Sequence, residues 1–190
     1  MTEQQPYEVV RRGNGYELRR YPACVVAEVA IDAAFEQAGN LGFRPLVNYI
    51  GGNNRAREPI SMTAPVVQSR KLGMTAPVVQ STKAGDSGND ADQQVIAFVL
   101  PKSVSLDSAP VPTDPRVVVR EIPASLTAVI RYSGRWSQSS YDQHVAKLRS
   151  AIASDDLVAV SEPRFARFDP PFKPWFLRRN EVHIDVSEPS

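Results

Sequence analysis

The sequence predicts an α+β fold in which two similar halves build one antiparallel sheet or open barrel, with the helices on one side. The order strand, helix, strand, strand occurs twice along the 190 residues, and the proline-rich segment SAPVPTDP (108–115) separates the two copies. Four residues of the first half also return at a constant offset: Arg19, Pro22, Ala23 and Ala27 match Arg120, Pro123, Ala124 and Ala128. We therefore expect one domain (1–190) with pseudo-symmetric halves at about 7–105 and 116–186, and a cleft between them where a small ligand can bind.

Five segments of the first half have the composition of strands. YEVVRR (7–12) ends at the turn signal GNG, and GYELRRY (15–21) alternates between apolar and polar residues. The run CVVAEVAI (24–31) is apolar enough for a half-buried strand. ISMTAPVV (60–67) and QVIAFVLP (94–101) complete the strands of this half.

A helix is predicted between the third and fourth of these strands, over AAFEQAGNLGFRPLVNYI (33–50). Asp32 offers a side-chain oxygen to the free amides at its start, and the glycines at 51 and 52 end it. Pro45 has no backbone donor, so we expect a kinked or broken helix whose second part lies near 44–50.

The second half repeats this order after the proline-rich segment. VVVREIPASLTAVIRYSG (117–134) predicts strands, and SEPRFARFDPP (161–171) and NEVHIDV (180–186) predict two more. Ser139 and Asp142 form the capping-box pattern S-x-x-D at the start of a helix. One face of that helix carries apolar residues at helical spacing: Tyr141, Val145, Leu148 and Ile152.

An octapeptide, MTAPVVQS, occurs at 62–69 and again at 74–81. The separation of twelve residues is even, so either copy can occupy one strand with the same face inward. Pro65 and Pro77 each remove a ladder donor, so neither copy can be a central strand along its whole length. We interpret the repeat as a local duplication, in which the first copy is the structural strand and the second extends a hairpin that leaves the core.

Composition excludes several classes of function. The 22 basic and 21 acidic residues give a net charge of +1, which argues against a general nucleic-acid binder or a polybasic membrane binder. Cys24 is the only cysteine, so an internal disulfide is excluded. No secretory signal or membrane-spanning apolar stretch is visible. We expect a cytoplasmic monomer with neither a nucleic-acid partner nor a membrane partner.

Several motifs carry a resemblance to a known family. In order, these are GGNN (51–54), ISMTAPV (60–66), APVPTDPRV (109–117), YSGRW (132–136) and FDPPFKPWFLRRNEV (168–182). With this order and spacing the chain resembles the SOUL / haem-binding protein family from about Tyr7 to Val186, and the doubled MTAPV resembles many bacterial members. The resemblance implies a distorted antiparallel barrel flanked by two helices and built from two similar halves. It also implies tetrapyrrole binding and a relation to the small-molecule-binding domains of some bacterial transcription regulators.

The resemblance further implies where a haem would bind. In members reported to bind it, the ring lies against the first helix and the loop before the last strand. The matching positions of this chain, together with nearby arginines that could add positive charge, are Phe43, Arg44, Val47, Ile50, Lys173, Arg178 and Arg179. The alternative interpretation is that Phe43 and Val47 belong to the core and that the arginines form a solvated rim.

An iron ligand is harder to assign, because the chain has only two histidines, His144 and His183. An animal member is thought to use a histidine in its N-terminal half, and this chain has none there. We take His144 as the candidate metal ligand, with Met62, Met74 and Cys24 as soft alternatives. Weak, partly non-coordinate porphyrin binding is therefore expected, with no other metal.

We predict that the chain binds haem or another tetrapyrrole, as a carrier, buffer or sensor, without catalysis. A first alternative is an enzyme in which carboxylates such as Glu28, Glu58 and Glu162 meet in the cleft, although no GxSxG, HExxH or P-loop motif is present. A second alternative is a sensor for a small molecule other than haem, by analogy with the related regulator domains. A buried glutamate in the cleft would favour a cationic ligand, and an arginine-lined cleft would favour an anion.

The aromatic and basic segment RFARFDPPFKPWFLRR also has the residue types of a single-strand nucleic-acid site. The near-zero net charge and the prolines argue against that function. We expect Trp175 and Phe176 to lock this loop onto the barrel instead.

Overall fold

The computed structural model describes residues 3–70, 93–170 and 172–188, which form twelve strands and two α-helices. The strands are β1 (Glu3–Gln4), β2 (Glu8–Arg12), β3 (Glu17–Tyr21), β4 (Cys24–Asp32), β5 (Thr63–Ala64), β6 (Val66–Arg70), β7 (Gln93–Val99), β8 (Val117–Ile122), β9 (Ser125–Tyr132), β10 (Val158–Ala159), β11 (Arg164–Arg167) and β12 (Asn180–Ser187). The helices are α1 (Phe35–Ile50) and α2 (Gln138–Ser154), and a 3₁₀ turn covers Trp175–Leu177.

Nine of these strands form a curled antiparallel sheet, a half-barrel, in the order β2-β3-β9-β12-β11-β6-β7-β4-β8. The short β10 pairs with β12 outside this order, and β1 pairs with β5 in parallel. The predicted α+β class, with a distorted antiparallel barrel and two flanking helices, is therefore confirmed.

The strand order of the sheet is symmetric about its central pair, β11 and β6. Apart from the edge strand β2, the strands β3, β9, β12 and β11 on one side match β8, β4, β7 and β6 on the other, in both sequence order and position. Two copies of one unit related by a two-fold axis would produce this order. The boundaries of the two halves at 7–105 and 116–186 stay a prediction.

Helix α1 ends before Gly51, as predicted, but it differs from its sequence prediction at its start and at Pro45. It begins at Phe35, and its N-cap, Ala34, provides no side-chain hydrogen bond. Asp32 is the last residue of β4, where its Oδ1 accepts a hydrogen bond from Gln93 Nε2 at 2.8 Å, so the predicted cap is wrong. Pro45 lies inside one uninterrupted helix, so the predicted break is also wrong.

Helix α2 is capped two residues earlier than predicted. Ser137 has an extended backbone, and its Oγ accepts from the backbone N–H of Ser140 at 3.4 Å. Ser139 already lies within the first turn, so the predicted capping box of Ser139 and Asp142 is wrong. Asp142 Oδ1 instead accepts a hydrogen bond from Gln138 Nε2 at 2.7 Å.

Both helices pack on the same face of the sheet. Helix α1 buries Ala38, Leu46 and Tyr49 against β4 and β7, and α2 buries Leu148 and Ile152 against β9 and β12. The predicted apolar face of α2 is thus confirmed at its last two positions, while Tyr141 and Val145 pack at its margin.

The close approach of α1 to the sheet depends on a glycine. A Cβ atom at Gly42 would lie 2.5 Å from Cγ1 of Ile96 on β7, a distance that non-bonded carbon atoms do not reach.

Among the described residues, no helix is long and apolar enough to cross a membrane.

The first MTAPVVQS copy provides β5 and most of β6, which lies between β11 and β7 at the centre of the sheet. Pro65 falls between the two strands, where no ladder donor is required. The second copy, at 74–81, and the proposed hairpin fall outside the described residues.

Candidate functional site

An apolar groove lies between α1 and the segment that follows β11. Its volume is about 330 Å³, at the small end of the ~300–1,000 Å³ that is usual for small-molecule sites. Val66 and Arg167, cross-strand partners in β6 and β11, contribute to it from the sheet, and Asn40 and Phe43 contribute from α1. The groove is therefore formed where the two halves of the sheet meet.

Three of the sequence motifs converge on this groove. Met62, Ala64 and Val66 come from ISMTAPV, and Trp136 comes from YSGRW. Phe168, Asp169 and Pro170 come from the start of FDPPFKPWFLRRNEV. The GGNN and APVPTDPRV motifs are used differently, because Asn54 and Pro112 form a bridge at the end of α1.

Trp136 forms an aromatic side of the groove and is fixed at its polar edge. Its Nε1 donates to Oδ1 of Asn180 at 2.9 Å, and Nδ2 of Asn180 donates to the carbonyl of Gly134 at 3.1 Å. The guanidinium carbons of Arg178 and Arg167 lie 4.4 Å and 4.8 Å from the centre of its ring. Two cations therefore contact this indole, at distances typical of cation–π pairs.

Arg167 is the most deeply buried cation of the groove, with 7% of its surface exposed. One NH2 group donates to Oε1 of the buried Gln68 at 2.5 Å, while Nε is buried and has no acceptor among the described residues. Burial, assisted by the nearby charge of Arg178 and opposed by Tyr132 and Glu36, lowers the pKa of Arg167 to about 10. The side chain nevertheless stays charged at neutral pH.

The side chain of Arg167 passes directly beneath α1 at a glycine. A Cβ atom at Gly39 would lie 2.1 Å from NH1 of Arg167, so only glycine leaves room for the guanidinium in this position. The rings of Trp136 and Phe165 lie 4.8 Å and 5.0 Å from its central carbon. The helix and two aromatic rings thus hold the guanidinium in place.

The predicted cation Lys173 is already paired. Its Nζ lies 2.7 Å from Oδ1 of Asp169, and Oδ2 of Asp169 accepts the backbone N–H of Arg179 at 2.6 Å. Burial opposes ionisation of Asp169, but these two donors hold its pKa below the usual range. The carbonyl of Lys173 also accepts from Nε of Arg178 at 2.8 Å, so the loop before β12 is tied together by its own polar groups.

The other predicted cations are spread over different surroundings. Arg179 donates from Nε and NH2 to Oε1 of the buried Glu181, at 2.9 Å and 2.7 Å. Arg178 lies against Trp136 at the groove, and Arg44 is exposed on α1. The structure thus brings only part of the predicted set of charges to one place.

The predicted apolar contacts are also divided, between the groove and the core. Phe43 lines the groove, is 40% exposed, and contacts Phe98 edge-on with ring centres 5.3 Å apart. Val47 and Ile50 pack in the core cluster beneath α1 instead, as the alternative interpretation of Val47 held. Their proposed contact with a ligand does not follow from these positions.

His144, the candidate metal ligand, lies on α2 and is not among the described residues that line the groove. Its ring stacks on Tyr132 with centres 3.7 Å apart. Nδ1 lies 2.7 Å from the carbonyl of Ser140, which can only accept, so Nδ1 carries the proton and Nε2 keeps its lone pair. Met62, by contrast, brings a thioether to the groove itself.

The exposed rings of the loop before β12 do not fasten it to the sheet. Phe172 is 87% exposed, and Trp175 and Phe176 are 48% and 58% exposed. The expectation that Trp175 and Phe176 lock this loop onto the barrel is therefore wrong. The polar contacts of Asp169 hold the loop instead.

A second groove lies beside α2, on the other side of the central strands, with a volume of about 190 Å³. Its described lining is mostly polar and includes Gln68, Gln94, Gln138, Asp142, Arg149 and Glu162. Surroundings of this kind favour water over a flat apolar ligand.

A cleft of about 150 Å³ lies on the face of the sheet that carries no helix. Glu28 lines it, with Oε1 2.9 Å from Nε of Arg120, while its buried Oε2 has no partner among the described residues. Arg164 and His183 line the same cleft, and burial lowers the pKa of His183. The cleft therefore contains a glutamate that is only partly buried, together with two arginines, so it does not clearly favour a cation over an anion.

Arg167, Trp136, Phe168 and Asn40 were missed by reasoning from the sequence. A signal existed for Arg167 in the segment RFARFD. It follows the apolar Phe165 by two residues, so in a strand both side chains lie on the same, inward face. No comparable signal marks Trp136, whose position depends on the turn after β9.

Comparison with known proteins gives the family of the chain. Residues 2–185 match the family model described as SOUL heme-binding protein. Heme-binding protein 1 of Xenopus laevis is 27% identical over 173 residues, which cover 90% of this chain and 83% of the relative. Heme-binding protein 1 of Bos taurus is 24% identical over 192 residues, which cover 96% and 91%.

Solved structures share the fold at low identity. The crystal structure of the EcmrR C-terminal domain aligns with a TM-score of 0.64 at 10% identity, covering 96% of this chain and 99% of that one. The crystal structure of a hydrolase from Listeria innocua aligns with a TM-score of 0.61 at 12% identity, covering 94% of each chain. At such identities the likeness shows the fold alone. The match over residues 2–185 shows more, and the chain belongs to the SOUL heme-binding protein family.

Proposed function

We propose that this protein binds haem or another tetrapyrrole in the groove beside α1, as a carrier, buffer or sensor, without chemistry of its own. The convergence of ISMTAPV, YSGRW and FDPPFKP on this one groove carries the proposal, because these motifs also carry the family resemblance. The names of the relatives, Heme-binding protein 1, support the same ligand class.

The residues of the groove suit a flat apolar ring with acidic groups. Phe43, Trp136 and Phe168 offer aromatic surface, and Met62 and Val66 offer aliphatic surface. A haem also needs cations for its propionates and can take an axial ligand to its iron. Arg167 lines the groove and Arg178 lies against Trp136, so these two cations support the first of these needs.

The iron ligand is the second part of the proposal. The lone pair on Nε2 of His144 can bind iron, and so can the thioether of Met62. Met62 lines the groove whereas His144 stacks on Tyr132, which makes Met62 the better placed of the two. Bound iron would supply a redox-active centre, and the chain itself would supply its binding and orientation.

A haemin titration followed by the Soret band tests the groove. Phe43→Asp replaces an aromatic contact of the groove by a charged carboxylate, which an apolar ring would have to desolvate. Leu41→Asp is the matched control, because Leu41 is 54% exposed on the same helix and does not line the groove. We expect saturable one-to-one binding by the native chain and by Leu41→Asp, and at least tenfold weaker binding by Phe43→Asp. Binding that never saturates, or that is equal in all three proteins, contradicts the proposal.

The same titration with His144→Ala and Met62→Leu tests the iron ligand. If the Soret band moves from its native wavelength only in Met62→Leu, the result supports ligation of the iron by Met62. If the band moves only in His144→Ala, the result assigns the iron ligand to His144. A spectrum unchanged in both variants means that the ring is bound without either ligand.

The cleft around Glu28 favours a second candidate function, a sensor for a small molecule other than haem. The observation behind it is the buried Oε2 of Glu28, which has no partner among the described residues. Titration with a fluorescent rhodamine cation, on the native chain and on Glu28→Gln, distinguishes this function. Binding that Glu28→Gln removes and that haemin does not displace supports it, and no saturable binding refutes it.

A further inference from the structure

We infer that Arg167 is the specificity-determining residue of the groove and binds a carboxylate of the ligand at the inner end of the groove, next to the sheet. This inference rests on the proposed function and narrows its ligand class. The ligand is a flat apolar molecule that carries a carboxylate on one edge, and neutral or cationic rings are excluded.

The charge of Arg167 is the first observation. The residue is 7% exposed and forms no ion pair among the described residues, although the charge of Glu36 acts on it from beyond ion-pair distance. A buried cation without a counter-charge is costly, so proteins rarely keep one unless something else compensates. The other buried arginine on the sheet, Arg19, shows the usual arrangement, with carboxylates of Glu17 and Glu181 at 2.8 Å and 2.9 Å.

The direction of the free donors is the second observation. A guanidinium has five N–H groups in one plane, and Gln68 accepts from NH2 while Nε has no acceptor among the described residues. The rings of Trp136 and Phe165 contact the planar group, so its donors remain for acceptors that approach within the plane. A carboxylate has the two oxygens that match such donors.

The third observation is the state of the other cations. Lys173 is paired with Asp169, and Arg179 is paired with Glu181. A ligand carboxylate at either of these would have to compete with a carboxylate of the protein itself. Arg167 forms no ion pair among the described residues, and Glu36 acts on it only from beyond ion-pair distance. It is therefore the stronger site for an acidic group, although the sequence points first to Lys173.

A consequence is a fixed orientation of the ligand. With one acidic edge against Arg167, the opposite edge of the ring lies toward the groove entrance near the exposed Phe43 and Met62. A tetrapyrrole with propionates on one edge satisfies this arrangement, and so would other flat acids of similar size.

The test compares protoporphyrin IX with its dimethyl ester, which has the same ring and no carboxylate. Binding of each is followed by porphyrin fluorescence in native protein, Arg167→Gln and the control Arg135→Gln. Arg135 is an exposed arginine beside Trp175, so its replacement removes the same charge from the surface. We expect the native chain to prefer the diacid by about ten- to one-hundredfold, the size of a hydrogen bond to a charged group. Arg167→Gln should lose this preference and Arg135→Gln should keep it.

Gly39→Ala provides a second variant if Arg167→Gln does not fold. It keeps the arginine but places a methyl group where NH1 now lies, and alanine is favourable in a helix. We expect Gly39→Ala also to reduce the preference for the diacid.

The outcomes separate the two proposals. Saturable binding of acid and ester with equal affinity by the native chain overturns the role of Arg167 and leaves the groove in place. If Arg167→Gln still prefers the diacid, the role of Arg167 is overturned in the same way. Where Arg167→Gln does not fold, a preference that survives in Gly39→Ala leads to the same conclusion. No saturable binding of either porphyrin by the native chain overturns the proposed function itself.

Discussion

Replacing the buried carboxylate of Glu181 by an amide should destabilise the protein strongly at neutral pH and hardly at all near pH 2. Glu181 is fully buried on β12 and is the shared partner of two arginines and a histidine. NH1 of Arg19 lies 2.9 Å from Oε2, NH2 of Arg179 lies 2.7 Å from Oε1, and Nε2 of His183 donates to Oε2 at 2.9 Å. Glu181→Gln keeps the shape of the side chain and removes its charge.

Two independent considerations give the same expected loss in the free energy of unfolding at neutral pH. Removing one partner of a buried ion pair costs ~3–5 kcal/mol, and the lower end applies here because Arg19 keeps Glu17 at 2.8 Å. Burial alone would raise the pKa of Glu181, but His183 and Arg19 hold it at about 2, compared with an ordinary value of 4.5. Such a depression corresponds to ~3 kcal/mol. Because the folded pKa is the lower one, this stability is present above pH 4.5 and is lost as the pH falls toward 2.

Urea unfolding of native protein and Glu181→Gln between pH 7 and pH 2 measures this difference. We expect the free energies of unfolding to differ by about 3 kcal/mol at pH 7 and to converge as Glu181 becomes protonated. Glu162→Gln is the control, since Glu162 and Arg149 form a half-exposed pair at 3.4 Å that should contribute less than about 0.5 kcal/mol. A gap of the same size at pH 7 and pH 3, or one below about 1 kcal/mol at pH 7, would refute the reasoning.

Four further substitutions test the placement of the helices, each by chemical unfolding. Ser137→Ala should cost about 0.5–1 kcal/mol and Ser139→Ala close to nothing, because only Ser137 accepts a hydrogen bond at the start of α2; the reverse result would restore the predicted capping box. Leu148→Ala should cost about 2–5 kcal/mol, since Leu148 is fully buried under α2, and a cost below about 1 kcal/mol would contradict that packing. Tyr49→Phe removes the hydrogen bond from its hydroxyl to the carbonyl of Pro110 at 2.8 Å, so it should cost about 1 kcal/mol, and no measurable cost would mean that this contact is not formed.

Much of the fold could be predicted because its strands follow simple alternation. In β4, Val25, Ala27 and Val29 face α1 while Cys24 and Val26 face the other way, as expected of a strand with one face under a helix. The element order repeats because each half uses the same sequence of strands around one helix. These features depend on short-range periodicity, which is present in the sequence itself.

The ends of the helices could not be predicted as well, because they depend on competition between neighbouring groups. Asp32 has the right chemistry for a cap, but pairing of β4 with β7 extends through Asp32 and Gln93 and takes that residue into the sheet. At α2, Ser137 and Ser139 are both suitable caps, and the docking of the helix decides between them.

The charges of the candidate site were misjudged for a similar reason. Sequence alone shows that Lys173 and Arg179 are cationic, but not that Asp169 and Glu181 lie beside them. Arg167 differs, because it is buried and forms no ion pair among the described residues, and the charge of Glu36, which opposes the effect of its burial and of Arg178, acts only from beyond ion-pair distance. Long-range pairing, rather than residue type, determines which cation is available to a ligand.

The central strand pair of the sheet contributes different residues to the two grooves. In this pair, Arg167 lies opposite Val66, and Phe165 lies opposite Gln68. Arg167 and Gln68 are therefore diagonal neighbours, and NH2 of Arg167 donates to Oε1 of Gln68.

The groove beside α1 contains the arginine and is mainly apolar, whereas the groove beside α2 contains the glutamine and is mainly polar. The linings of the two grooves therefore make the two sides chemically distinct. One ligand per chain follows from this asymmetry, although the strand order alone would allow two.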